Sequence, residues 1–225
     1  MDRTEKKAMQ EETIRRSCAD CGVTSCINGT KEEEGYPSFC VTQHIDASFV
    51  QDVVKLYDEA ENRSVMEAAA GVECDFYCQK TRVEGVIEFA RRIGAKKIGI
   101  ATCAGLIRET RILTKILRHH GFEVYGVACK AGMVKKVDIG MPKEYEKVGI
   151  NICNPILQAK ILNNEQTDLN IVMGLCVGHD SLFYKYAQAL TTTLVAKDRV
   201  TGHNPAAALY TLESYYKNKL MGEEQ

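Results

Sequence analysis

Cysteine is the residue type through which this sequence could do chemistry. The chain has ten cysteines in 225 residues, and Cys18, Cys21, Cys26 and Cys40 fall at C-x2-C-x4-C-x13-C spacing. A C-x2-C step lets two thiolates reach one metal while backbone N–H groups point at the sulfurs. Four thiolates suit tetrahedral Zn2+ or a [4Fe–4S] cluster, both thiophilic centres. Residues 17–46 have no sustained apolar period, so a ligand is the evident thing for them to fold around. These four cysteines are expected to bind metal, with zinc and iron–sulfur about even on the spacing alone; a redox-active dithiol and idle thiols are the competing readings.

A second set is scattered in sequence but regular in context. Cys103 follows the apolar run 98–102, Cys129 follows 122–128, Cys176 follows 169–175, and Cys153 precedes Asn154-Pro155, a helix cap followed by a favoured first helical residue. In an open parallel sheet these positions all lie at the carboxyl edge, where ligands bind. Cys103, Cys129, Cys153 and Cys176 are therefore expected to share one iron–sulfur site, which one of Cys78 and Cys74 completes or flanks. The competing reading is that each is a small residue tolerated at a turn. Cysteine phosphatase chemistry at Cys103 is excluded by spacing, because Arg108 stands one residue short of a C-x5-R loop. No G-x-G-x-x-G and no phosphate-binding P-loop occurs.

Ionisable residues fall at the same edge. Gly178-His179-Asp180-Ser181 follows Cys176, and Lys197-Asp198-Arg199 with Gly202-His203-Asn204-Pro205 follows the last strand-like run. His179 or His203 could act as general acid or base or as a ligand, Asp180 could move protons, and Lys197 and Arg199 could hold an anion or offset a cluster's charge. Singly, each has a structural alternative: Asp180, Ser181 and Asn204 are ordinary helix caps, and a lone histidine is more often a hydrogen-bonded structural residue.

The elements that must position these groups are readable from periodicity and caps. Phe49, Val50, Val53, Val54, Tyr57 and Ala60 recur with helical spacing after Asp46, a cap. Thr81 and Glu84 form a capping box ahead of Val83, Val86, Ile87 and Ala90, with Gly94 ending that helix. These two helices frame Cys74 and Cys78. Beyond Lys97 strands at 98–102, 122–128, 169–175 and 192–196 alternate with helices at 106–120, 156–163, 179–187 and 205–220, while 130–149 reads as a loop or lid. Short connections of this kind predict parallel strands and right-handed crossovers. The expected fold is α/β, a small doubly wound, mainly parallel sheet with helices on both faces. Its expected divisions are a charged tail at 1–16, a cysteine-rich metal-binding segment at 17–46, a helical segment at 47–96 and the α/β domain at 97–225.

Composition narrows the function. Twenty-nine Lys and Arg against 30 Asp and Glu leave no basic field for nucleic acid or anionic lipid. No apolar stretch is long enough to span a membrane, and the charged N-terminus is not a secretory signal, so a cytoplasmic location is expected. Ten cysteines, about 4% of the chain, are too few for a small disulfide scaffold, which turns the reading to metal or catalysis.

With those residues in view the chain resembles a family of uncharacterised cysteine-rich proteins from anaerobic bacteria and archaea, described only as metal-binding. The resemblance runs through Cys18-Ala19-Asp20-Cys21-Gly22, Tyr36-Pro37-Ser38-Phe39-Cys40, Cys78 with Thr81-Arg82, and Cys153-Asn154-Pro155-Ile156 through Gln158-Ala159. It continues in Gly174-Leu175-Cys176-Val177-Gly178-His179-Asp180 and in Lys197-Asp198-Arg199 with Gly202-His203-Asn204-Pro205. It implies metal binding and no assigned reaction.

The expected function is metal binding through one or two iron–sulfur clusters, with a redox or cluster-based role on a small molecule. Turnover, if present, would be redox, lyase or sulfur-transfer chemistry. The alternative is a zinc-binding sensing or structural module without turnover. Expected partners are a small molecule or a redox protein, with a homo-oligomer left open.

Overall fold

The computed structural model describes residues 15–29 and 35–222. They fall into two compact units divided between Met66 and Glu67. Residues 1–14, which hold most of the expected charged tail, lie outside the described residues.

In the first unit a 3-10 turn at Ser25–Ile27 precedes helices α1 (Val41–His44) and α2 (Ala47–Lys55). Asp46 caps α2 as its position implies, its carboxylate accepting from the Ser48 and Phe49 backbone N–H groups at 2.7 and 3.2 Å. The apolar stripe of α2 is not buried among the described residues: Phe49, Val50, Val53 and Val54 are all exposed. Helix α3 (Ala60–Phe76) contains the division between the units. It also corrects the expectation that Cys74 lies between helices, since Cys74 is in the last turn of α3.

The second unit opens with α4 (Arg82–Arg92), whose Thr81–Glu84 capping box is complete. It continues as β1 (Lys97–Thr102), α5 (Ile107–His119), β2 (Glu123–Ala128), α6 (Pro155–Asn164), β3 (Leu169–Met173), α7 (His179–Tyr186) and β4 (Leu190–Val195). The strands form one sheet in the order β2-β1-β3-β4, every pairing parallel. The fold is therefore the α/β class that the alternation of elements implies.

Side chains alternate across the pleat, so each strand feeds two cores. On one face Ile98, Ile100 and Ile171 pack with Val86, Ile87 and Ala90 of α4 and Leu113 and Leu117 of α5. On the other, Ala101, Val127 and Val172 pack with Ala159 and Leu162 of α6 and Phe183 of α7. Helices thus cover both faces.

Two boundaries differ from the sequence reading in ways that affect the site. β3 stops at Met173 because the chain turns at Gly174, held at φ 69°, where a Cβ would collide with Leu106 Cδ1. The expected helix 205–220 is two short helices, α8 (Ala206–Tyr210) and α9 (Lys217–Met221). No described helix is long and apolar enough to cross a membrane.

Candidate thiol site at the carboxyl edge of the sheet

Register brings the first two sulfurs together. Thr102 of β1 pairs with Ala128 of β2, so Cys103 and Cys129 are each one residue beyond a matched pair. The Cys129 N–H donates to Thr102 O at 2.8 Å, and the Cys103 N–H donates to Met173 O at 3.3 Å, carrying the ladder past the strand ends. Gln158 of α6 is fully buried, and its Nε2 donates to Thr102 O and Val127 O at 3.0 and 2.7 Å, tying the two strand ends together.

The third sulfur arrives by a different route. The N–H of Asn154 donates to Cys129 O at 2.8 Å, while its side chain caps α6 by accepting from Leu157 N–H. Cys153 is thereby fixed beside Cys129 although residues 130–152 intervene. The Cys129 side chain interacts with those of both Cys103 and Cys153, which makes it the middle of a row of three.

Protons are divided unequally along this row. Cys103 is brought down to about 4, first by the hydrogen bond from Cys129, then by Lys197 and the Gly105 backbone, against the cost of burial. Its sulfur accepts directly from Lys197 Nζ and from Gly105 N–H at 3.4 Å. Cys153 is brought down to about 5, again first by Cys129, with Lys130 and the nearby His179 assisting. Cys129 is pushed up, because its proton serves two flanking thiolates and its surroundings are buried; the Ala104 N–H, donating at 3.4 Å, opposes this weakly. The two outer thiols are thus eased toward the thiolate and the central one is held as the thiol, with Lys197 on the Cys103 sulfur and Lys130 favouring the charged form of Cys153.

Other residues stand as follows. His179 begins α7, and its Nδ1 is buried without a hydrogen-bond partner. Cys176 lies three residues past the end of β3, not one, because of the turn at Gly174; it is partly exposed, and its carbonyl accepts from the N–H groups of His179 and Asp180. It is not part of the hydrogen-bonded row. Asp180 accepts from the Ser181 N–H. Cys78 is exposed, in a left-handed turn with φ 56°. His203 is committed to its own loop: its Nδ1 accepts from Asp198 N–H at 3.1 Å and its N–H donates to Asp198 O at 2.7 Å. Arg199 is exposed. Of the expected polar residues, Lys197 reaches a sulfur and His179 stands near Cys153.

Lys130 went unread in the sequence. It lies in a Lys- and Gly-rich run that resembles any solvated loop, yet its ammonium bonds Asn151 O at 2.6 Å and assists Cys153. Its position directly after a strand-end cysteine was the available signal.

Soft donors are what a thiophilic metal needs, and the imidazole nitrogen near Cys153, without a hydrogen-bond partner among the described residues, adds a second donor type. Among the described residues no three His, Cys, Asp or Glu side chains stand ready to hold a metal ion.

A doubly wound α/β domain with a row of three cysteines at its carboxyl edge defines the class of this protein. The chain belongs to the family described as protein of unknown function DUF1847, whose model matches residues 40–194. It is also 42% identical over 204 residues to an uncharacterised protein of Methanocaldococcus jannaschii, covering 91% of this chain and 97% of the relative. No solved structure matches the chain.

Proposed function

We propose that the protein binds a soft metal centre through Cys103, Cys129 and Cys153, in the first reading an iron–sulfur cluster with a redox or cluster-based role on a small molecule. The observation that carries this is the placement of three cysteines at one sheet edge: register sets Cys103 and Cys129 past matched strand ends, the Asn154 N–H on Cys129 O brings in Cys153, and Lys197 bonds the Cys103 sulfur. Burial supports it too. Cys103 and Cys129 are 6% and 3% exposed, and a thiolate so enclosed is poorly placed to meet a bulky disulfide but well placed to hold an ion.

This chain's own groups have distinct parts in that reading. Lys197 and Lys130 offset the negative charge of the outer sulfurs, and the Ala104 and Gly105 N–H groups orient them. His179 supplies a nitrogen that can ligate or hold a proton beside Cys153. A bound cluster would supply electron transfer or Lewis acidity. A second reading is a zinc-binding module without turnover, for which three thiols and one imidazole are a suitable set of ligand types.

Anaerobic purification followed by metal and acid-labile sulfide analysis separates the readings. Iron with sulfide, lost in Cys129→Ser, is the expected result. Zinc without sulfide would select the second reading. Protein that takes up neither iron, sulfide nor zinc under reducing conditions would overturn both.

A further inference from the structure

The two cysteines that the register aligns have different surroundings, and the difference is the one a two-step thiol reaction needs. Cys103 caps the 3-10 turn Ala104–Leu106 that follows β1. Consecutive N–H groups of this turn hold one sulfur each: Gly105 N–H donates to Cys103 Sγ and Ala104 N–H to Cys129 Sγ, both at 3.4 Å. The two sulfurs are therefore neighbours over a single turn. Lys197 Nζ adds its bond to the Cys103 sulfur. An ammonium and an N–H on one sulfur favour the thiolate, which is the attacking form, and leave Cys129 as the second thiol beside it.

The backbone also lets the two sulfurs join. Cys103 and Cys129 each stand one residue past the matched pair Thr102 and Ala128, and the Cys129 N–H on Thr102 O continues the ladder. Neighbouring strands run about 4.8 Å apart, inside the span of about 4.4–6.8 Å between Cα atoms that a disulfide bridges.

Gly105 leaves an approach. It is exposed, and its backbone has no need of glycine, since its φ is not positive. A Cβ there would lie 3.7 Å from Lys197 Nζ and 3.8 Å from Cys103 Sγ, so a branched side chain would crowd the sulfur and its ammonium together. Glycine keeps that pair open to a small reagent, while the burial of Cys103 shuts out a large one. Lys197 gives the reagent its sign. A small anion that a thiolate attacks at sulfur is an inorganic polysulfide.

We propose that Cys103 and Cys129 form a dithiol that takes sulfane sulfur from polysulfide anions and releases it as hydrosulfide, an activity of the metal-free site that goes beyond metal binding. The Cys103 thiolate attacks a terminal polysulfide sulfur; an S–S bond to Cys103 forms, and the polysulfide, one sulfur shorter, leaves with the electron pair of the bond that breaks. Cys129 then attacks Cys103 Sγ. Its proton and the electron pair of the outer S–S bond leave together as hydrosulfide, so the outer sulfur is reduced while the two cysteines are oxidised to a disulfide. A second dithiol, itself oxidised to a disulfide, restores the pair.

Reduced, chelator-stripped full-length protein mixed anaerobically with inorganic tetrasulfide tests this, with alkylation and peptide mass mapping at timed intervals. The parent protein should pass through a persulfide on Cys103 to a Cys103–Cys129 disulfide. Cys129→Ser should stop at a Cys103 peptide one sulfur heavier, from which cyanide draws thiocyanate. Lys197→Met and Gly105→Val should each slow loss of the Cys103 thiol roughly tenfold with circular dichroism unchanged; the parent rate in either overturns the proposal. The exposed Cys74 and Cys78 are internal references, and sulfur arriving on them ahead of Cys103 overturns it as well. So does loss of the Cys129 thiol as fast in Cys103→Ser as in the parent, or a disulfide that links Cys129 to Cys153 instead. Should a serine variant fail to fold, the parent time course decides: a disulfide without a preceding Cys103 persulfide, or an unmodified Cys103, overturns the proposal. Because the metal is removed beforehand, failure of the metal reading leaves this one standing.

Discussion

Two groups of cysteines in one chain are presented in opposite ways. Cys103, Cys129 and Cys153 ride on a sheet whose two cores are complete, and register alone brings the first two into line. Cys18, Cys21, Cys26 and Cys40 ride on a unit in which Cys40 is the sole buried described residue. In the first case the sulfurs stand on completed cores, and in the second the described residues bury no apolar core beneath them. The same residue type therefore carries different consequences when it is removed.

Perturbing the cores tests this contrast most strongly. Leu117 is fully buried between α5 and the sheet, so Leu117→Ala is expected to cost about 3 kcal/mol of unfolding free energy in chemical denaturation. A smaller loss is expected at the turn that ends β3. Gly174→Ala would force a left-handed alanine against Leu106 and should cost about 2 kcal/mol, with part of the loss recovered by Leu106→Ala. Equal stability of Gly174→Ala and the parent protein would mean that this turn is not under constraint.

Below these comes the pH dependence of the metal-free, reduced protein. Cys103 and Cys153 titrate at about 4 and 5 when folded, against 9.0 as their ordinary value. Between those limits the unfolded chain binds more protons, so stability should rise with pH from about 5 toward 9 and be lost as pH falls through the folded values. Cys129 is shifted the other way; it keeps a proton that the unfolded chain releases, so the gain should reverse above about 9. The check is Tm against pH, with Cys103→Ser flattening the acid limb. Lys197→Met should move the pH at which the thiolate absorbance appears upward while leaving the native circular dichroism intact.

The smallest effect is expected on α2. Val53→Ala, on an exposed apolar stripe, should change stability by less than about 0.5 kcal/mol. A loss comparable to that of Leu117→Ala would remove the contrast between the two units.

Much of this was legible in the sequence for physical reasons. A parallel strand covered on both faces reads as a short apolar run, as in Ile98 to Thr102 and Leu169 to Met173, and the caps at Thr81 and Asn154 mark their helices through side-chain chemistry. Helix α3 was not legible because Ala68 is its sole buried residue and it lacks a wide apolar stripe. Residues 205–220 read as one helix because nothing in their composition announces a break; the chain turns at Thr211, whose hydroxyl bonds Ala207 O. The positions of Cys103 and Cys129 follow from counting residues beyond strand ends, and that of Cys153 from the Asn154 cap that it precedes. The same count misplaced Cys176, because a glycine ended β3 two residues early.

The bond from Asn154 N–H to Cys129 O fastens the two ends of a long connection directly to each other, and the Lys130 ammonium on Asn151 O doubles the fastening. Residues 130–152 hang from that clasp, so their length is decoupled from the spacing of the sulfurs on either side. Doubling a flexible loop adds only about 0.6 kcal/mol of closure entropy. Residues 137–148 could therefore be shortened, extended or exchanged for a foreign segment while the three thiols keep their places, which makes this stretch the natural point at which to graft a tag or a reporter.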